Sequence, residues 1–268
     1  NALAIAAMAE AGAAFERRDF IEKAAKAAHF LLEKVAGPEG RLFHSYKDGR
    51  VGVLGLLEDY AYLSEALLTL WEVTFDPHWF NRCKELVAQM IDLFWDHDQG
   101  GFFSTGSDHE RLILRQKEIV ESVTPSPNAV AAMAMQRLSV LTDDPRLAGR
   151  AETVLRMAYN HMAKAPQACG TFLSALDFWI QTPKEIVIVG GDKGNCAVRD
   201  QADAIPLLNV VWSRFLPNKV LAGAPPGIES PLLEDKEPID EKATAFVCEH
   251  YACQRPTSDP QELERQLG

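Results

Sequence analysis

The sequence predicts a mainly α-helical protein that forms part of an α/α toroid, with a small C-terminal α/β element. Three observations predict this fold. Helices that are apolar almost all round alternate with amphipathic helices, short turns headed by Asp join them, and strand-like runs begin only after Pro183. We therefore assign residues 1–182 to helical hairpins and residues 183–268 to the α/β element.

The segment 56–71 is the clearest inner helix. At about 100° per residue its apolar side chains cover most of the circumference, which indicates burial. One narrow polar stripe remains, formed by Glu58, Glu65, Thr69 and Glu72. Asp59 lies outside that stripe at the start of the helix. Two interpretations stay open: a helix cap that stabilises by about 1 kcal/mol, or a carboxylate at the mouth of a helical barrel.

The same alternation recurs along the chain. Buried helices are predicted at 57–74, 126–142 and 170–180, and amphipathic helices at 20–35, 77–95 and 145–164. Asp76-Pro77 and Asp144-Pro145 head two of the amphipathic helices. Asp can cap there, and Pro fits the first turn because its absent N–H would be unpaired anyway. Residues 1–12 already have the pattern of an apolar helix but lack a helix start signal, so we expect further chain upstream of this helix. We also expect an open toroid edge, through which the protein can dimerise.

After Pro183 the periodicity changes. Residues 185–189 form an apolar, β-branched run, residues 200–215 suit a helix, and residues 217–222 suit a second strand, which together predict a β-α-β unit. Residues 243–253 supply another strand, and Asp259-Pro260 opens a last helix. The glycine turn at 190–194 has neither dinucleotide-binding nor P-loop spacing, so we interpret it as a tight turn.

Composition excludes several function classes. A net charge of −11 lacks the basic footprint that binds nucleic acid or anionic membranes, and no apolar run approaches the ~20 residues that span a bilayer. We expect a cytoplasmic protein without cofactor or metal.

Five scattered cysteines contain no C-x-x-C, so reduced thiols are expected, with Cys248 and Cys253 as strand residues rather than a redox pair.

Several stretches closely resemble the YyaL-like family, which includes spermatogenesis-associated protein 20. They are residues 55–61, residues 93–96 with Gly100-Gly101-Phe102-Phe103, Pro125-Ser126-x-Asn128, and residues 243–253 with Thr257-x-Asp259-Pro260-x-Glu262-Leu263. The resemblance implies a barrel similar to six-hairpin glycosidases and N-acylglucosamine 2-epimerases, an (α/α)6 toroid, preceded by a thioredoxin-like domain. This chain resembles only the part after that domain and the first hairpins. The missing thioredoxin-like domain is thus an expected partner, and no residue here matches its cysteine motif.

Two classes of function remain open. The first is a carbohydrate-binding or carbohydrate-processing site, glycosidase-like or epimerase-like, because such toroids hold sugars where paired carboxylates do acid/base work. The second is a non-catalytic scaffold for the missing domain or another protein. For the first, we predict that Asp59 and Glu121 are acid/base residues at the same end of the toroid. Glu58 or Glu118 is the neighbouring carboxylate that would raise the pKa of one of them. The predicted binding residues are His44, Tyr46, Tyr60, Ser126 and Asn128.

Overall fold

The fold is known from a computed structural model that describes residues 1–37, 39–191, 198–223, 230–249 and 252–268. Before residue 183 the described chain forms seven α-helices: α1 (Ala2–Ala14), α2 (Arg18–Phe30, continued by a π-helical turn at Leu31–Val35), α3 (Leu57–Thr74), α4 (Pro77–Phe94), α5 (Pro127–Thr142), α6 (Pro145–Lys164) and α7 (Gly170–Ile180). Helices α1, α3, α5 and α7 pack side by side, and α2, α4 and α6 each fold back on the inner helix before them. This is an arc of an α/α toroid, as the sequence predicts.

Inner and outer helices differ in how much of their surface is buried. Helix α3 buries nearly all of its residues, whereas α4 buries one face only. The predicted caps are present: Asp76 accepts the N–H of His78 at 2.9 Å, and Asp144 accepts the N–H of Arg146 at 2.9 Å. These caps satisfy N–H groups that a helix leaves unpaired, so the outer helices begin where the sequence predicts.

A β-hairpin precedes α3. Strands β1 (Phe43–Lys47) and β2 (Arg50–Leu54) pair in antiparallel fashion through a two-residue turn. Asp48 and Gly49 both have positive φ, which the tight hairpin turn requires. The N–H of Gly55 then donates to the carbonyl of Leu42 at 2.8 Å, so the hairpin closes against the start of α3.

The C-terminal part forms a four-stranded sheet in the order β4-β3-β5-β6. Its elements are β3 (Lys184–Val189), α8 (Ile205–Trp212), β4 (Lys219–Gly223), β5 (Thr244–Glu249), β6 (Ala252–Cys253) and α9 (Pro260–Leu267). Strands β3 and β4 are parallel with α8 between them, which confirms the β-α-β unit. The division at residues 182 and 183 stays a prediction, and most of the glycine turn at 190–194 lies outside the described residues.

The sheet covers the C-terminal ends of the inner helices. Glu72, near the end of α3, accepts the N–H of Leu221 at 3.3 Å. Ser230 donates its hydroxyl to the carbonyl of Leu141, near the end of α5, at 2.6 Å. The opposite end of the arc, where the inner helices begin, is not covered by the sheet; we call it the mouth.

The prediction that all cysteines are reduced is wrong, because Cys248 and Cys253 form a disulfide. The antiparallel register of β5 and β6 sets the two residues directly opposite each other, with Cα atoms 3.9 Å apart. Their spacing in the sequence does not reveal this register. Cys83 and Cys169 are buried thiols, and Cys196 lies outside the described residues.

Among the described helices, none combines the length and apolarity needed to cross a membrane.

Candidate functional site

A cavity of about 330 Å³ opens at the mouth. The first residues of α1 and the first turns of α3 form two of its walls. Strand β1 and the π-helical turn after α2 supply the others, and Thr124 closes the side toward α5. The N-terminal ends of neighbouring inner helices therefore meet around one opening, as expected when each outer helix returns the chain to the starting end.

Asp59 and His44 form a hydrogen-bonded pair at the edge of this cavity. Nδ1 of His44 lies 3.0 Å from Oδ2 and 3.3 Å from Oδ1 of Asp59. Oδ2 of Asp59 also accepts the N–H of Leu56 at 2.8 Å. Asp59 thus caps the helix from its third position, not as the N-cap residue, which is Leu56, and it also contacts His44. Its role as a carboxylate at the barrel mouth stays a prediction. Within the described part of the chain, Nε2 of His44 has no hydrogen-bond partner, and the side chain is 42% exposed.

Glu58 adds a second carboxyl group beside this pair. Its Oε1 lies 3.9 Å from Nδ1 of His44. Burial raises the pKa of Glu58 above its usual range, and the negative charges of Asp59 and Glu118 raise it further, against the opposing effect of His44. A carboxyl group with a raised pKa therefore sits beside a histidine held by a second carboxylate. That arrangement can donate a proton and accept one.

Tyr62, one turn after Glu58, is a mouth residue that the sequence interpretation missed. Its hydroxyl donates to the carbonyl of Pro125 at 2.6 Å. Burial raises the pKa of Tyr62, and the charges of Glu58, Glu118 and Glu121 raise it further. Of these three carboxylates, Glu58 lines the cavity with Tyr62, whereas Glu118 and Glu121 act on the hydroxyl from outside its lining. The four-residue spacing of Glu58 and Tyr62 was the available signal, since it places both on one helix face.

Glu121 reaches the start of an inner helix, but that helix is α7. Its Oε1 accepts the N–H of Thr171 at 2.6 Å, and its own N–H donates to the carbonyl of Ala168 at 2.9 Å. One carboxylate oxygen is therefore occupied as a helix cap. The sequence did not associate Glu121 with α7 because the two are joined only by the fold.

Three predicted binding residues lie in the protein interior instead, which corrects their assignment. Tyr60 is fully buried, and its hydroxyl accepts from the N–H of Leu42 at 2.9 Å and from Arg41 at 3.2 Å. Ser126 is 1% exposed and caps α5. Asn128 is fully buried: Oδ1 accepts the N–H of Phe102 at 2.8 Å, and Nδ2 donates to the carbonyls of Phe102 at 3.0 Å and Glu118 at 3.2 Å. Buried polar groups need such partners, so these side chains hold loops to helices.

Tyr46 also lies apart from the cavity. Its ring packs edge-on against Phe30, with the ring centroids 5.4 Å apart. It shares a strand face with His44 two residues earlier, but it is not among the residues that line the mouth. Of the seven predicted site residues, the structure brings together His44 and Asp59 at the cavity, whereas Glu121 is not among the residues that line it.

Two other residues of the polar stripe of α3, Glu65 and Glu72, belong to a buried ion-pair network. Arg137 of α5 contacts Glu65, and its Nη2 lies 3.0 Å from Oε1 of Glu72. Burial raises the pKa of Glu65, while the charge of Arg137 opposes that rise. This network joins the two inner helices below the mouth.

The described residues contain no group of three or more His, Cys, Asp or Glu side chains suited to hold a metal ion.

Fold and site together define an arc of an α/α toroid with an acidic mouth that carries a histidine. The whole chain is similar to spermatogenesis-associated protein 20: it is 31% identical to the human protein over 283 residues and 30% identical to the rat protein over 286 residues. This confirms the resemblance inferred from the motifs. The match covers 100% of this chain but 35% of each relative, so the chain spans about a third of their length. No protein-family model matches the chain.

Two solved structures share part of the fold, both cellobiose 2-epimerases. The enzyme from Spirochaeta thermophila aligns with a TM-score of 0.49 at 17% identity, over 61% of this chain and 44% of its own. The enzyme from Bacillus thermoamylovorans aligns with a TM-score of 0.47 at 16% identity, over 58% of this chain and 42% of its own.

Proposed function

We propose that the mouth binds a carbohydrate-like small molecule and transfers protons on it. The observation that carries the proposal is the pairing of His44 with Asp59 beside Glu58, at the edge of a cavity of about 330 Å³. That volume falls within the range of about 300–1,000 Å³ typical of small-molecule sites. In this proposal His44 and Glu58 exchange protons with the ligand, and Asp59 positions His44 without contacting the reacting atoms.

The chemistry of the mouth suits a polyol. Carboxylates accept hydrogen bonds, and a sugar offers several hydroxyl donors to them. Because Nδ1 of His44 is held by Asp59, the imidazole can act through Nε2. Glu58 is the proposed proton donor, because burial and the neighbouring negative charges raise its pKa. Sugar epimerisation and glycoside hydrolysis both need such a donor and acceptor, and the two reactions differ in whether a carbon-bound proton is removed.

The test is a screen of mono- and disaccharides by ligand-observed NMR, followed by incubation of each binder in D₂O. Epimerisation by proton abstraction introduces deuterium at carbon and changes the sugar's configuration, whereas hydrolysis releases two sugars without carbon deuteration. His44→Gln and Glu58→Gln should abolish turnover while shifting the melting temperature by no more than a degree or two. His97→Gln, an exposed histidine away from the cavity, is the matched control and should behave as wild type.

The scaffold alternative predicts a different result. It is favoured if no sugar binds the wild type and Asp59→Asn lowers stability sharply, because the carboxylate then serves only to cap α3. We also propose, as the scaffold alternative, that this region supports a thioredoxin-like domain, and that the protein dimerises through the toroid edge. Sedimentation of this chain, alone and extended upstream, would test them.

A further inference from the structure

The β1–β2 hairpin has one polar face and one apolar face, and side chains on both faces are exposed to solvent. The polar face carries Ser45, Lys47 and Arg50. Tyr46 and its cross-strand partner Val51 lie on the other face, which they share with His44, and all three are exposed. Alternation of this kind is typical of a hairpin that covers its apolar face with something else.

Two more exposed apolar residues adjoin this face. Phe30, at the end of α2, is 45% exposed and packs its ring edge-on against that of Tyr46. Val53 is 65% exposed and stands opposite His44 in the strand register. We call Phe30, Tyr46, Val51 and Val53 the apolar patch.

Val53 has a backbone conformation that valine rarely adopts. Its φ of +57° lies in the left-handed region, where a β-branched side chain is sterically disfavoured and glycine is not. Strain of this kind clusters at ligand sites. Stability does not account for a valine here, because the side chain buries little and glycine would relieve the strain.

The apolar patch is continuous with the mouth cavity at two points. His44 lines the cavity and precedes Tyr46 by two residues, which is about 7 Å along the strand. Leu31 also lines the cavity and directly follows Phe30. A ligand with its polar end at His44 can therefore reach the patch with a group linked to that end. The hydroxyl of Tyr46 is the one polar group among the four side chains of the patch, so the linked group is apolar.

We propose that the ligand of the mouth is a glycoside with an apolar ring as its aglycone, and that the apolar patch binds this ring. The inference rests on the carbohydrate function proposed above and names the class of substrate. The sugar lies at His44 and Glu58, and the ring packs against Tyr46 and Val53. Aromatic side chains favour edge-on and offset contacts with such a ring. The contact removes apolar surface from water on both partners, which adds affinity that the sugar alone does not supply.

Methyl and phenyl glycosides test this inference, because they share the sugar and differ in the aglycone. The probes are the methyl and phenyl β-glycosides of glucose, galactose and N-acetylglucosamine, and isothermal titration calorimetry measures their affinities. At least one phenyl glycoside should bind about tenfold or more tightly than its methyl counterpart. Tyr46→Ala should remove most of that preference. Val53→Gly should reduce it roughly threefold, while the melting temperature stays the same or rises because glycine relieves the strain.

The matched controls are Tyr159→Ala on α6 and Val120→Gly in the loop before α5, which are exposed residues outside the patch and the mouth cavity. Both should keep the full preference for the phenyl glycoside. His44→Gln should weaken binding of the methyl and the phenyl glycoside alike, because both place their sugar in the mouth.

The methyl glycosides report on the mouth alone, so the two proposals can fail separately. Equal affinities for the two aglycones, or a full phenyl preference in both Tyr46→Ala and Val53→Gly, would overturn the inference and leave the carbohydrate function standing. Free sugars that bind while every glycoside fails to bind would have the same meaning. Phenyl glycoside binding that is unchanged in His44→Gln would also overturn it, because the patch would then act without the mouth. If no free sugar and no glycoside binds, both proposals are wrong.

Discussion

Replacing Asn128 with Ala tests whether this residue binds a ligand or holds the fold together. The fully buried amide makes three hydrogen bonds, two with the backbone of Phe102 and one with the carbonyl of Glu118. Removing it loses about 1 kcal/mol of net stabilisation per bond and leaves buried backbone groups unpaired, so we expect a loss of about 3–5 kcal/mol. For a chain of this size that corresponds to a fall in melting temperature on the order of 10 °C.

Urea denaturation followed by circular dichroism, together with calorimetry, measures this loss. Asn160→Ala is the matched control, because Asn160 is exposed on α6 and a surface substitution of this kind should change stability by less than about 0.5 kcal/mol. A residue that only orients ligand hydroxyls would leave the melting temperature unchanged. Asn128→Ala within about 1 kcal/mol of wild type would therefore refute the structural role and restore the binding role predicted from the sequence.

Three further predictions concern the charged core, the mouth and the disulfide. Arg137→Met leaves Glu65 and Glu72 buried without their cation, so unfolding in urea should show a loss of about 3–5 kcal/mol. The loss should be smaller at pH 5 than at pH 8, because burial raises the pKa of Glu65 and the variant lacks the charge of Arg137 that opposes this rise. Glu58→Gln should raise the melting temperature at pH 7, and the gain should vanish toward pH 4; because the pKa of Glu58 is higher in the folded than in the unfolded state, its cost builds up as pH rises from the unfolded-state pKa to the folded-state pKa. Cys253→Ser should lower stability by about 2 kcal/mol in calorimetry, as expected for a short closed loop.

Each of these predictions has a matched control or a contradicting result. Arg156→Met removes an exposed ion pair and should change stability little at either pH. A higher stability of wild type than of Glu58→Gln at pH 7 would reverse the sign argued for the mouth. Cys253→Ser should match the reduced wild type, while equal stability of the oxidised and reduced protein would contradict a stabilising disulfide.

Local sequence determined much of the helical framework. Helices α3 and α7 span the residues that their apolar periodicity predicts, and Asp76 and Asp144 cap the helices that follow them. Caps and periodicity depend on residues within one or two turns, so a single sequence reveals them. The parallel pairing of β3 with β4 was also predictable, because a β-α-β connection implies it.

Only the tertiary structure decided the roles of the polar residues. His44 meets Asp59 because the β1–β2 hairpin folds back on the start of α3, and Cys248 meets Cys253 because of the strand register. Asn128 looked like a binding residue from its place at a helix start, yet the backbone of Phe102 and Glu118 takes all of its hydrogen bonds. A polar side chain forms hydrogen bonds with whichever groups the fold brings within about 3 Å. That partner is set by packing between distant segments, which local sequence does not specify.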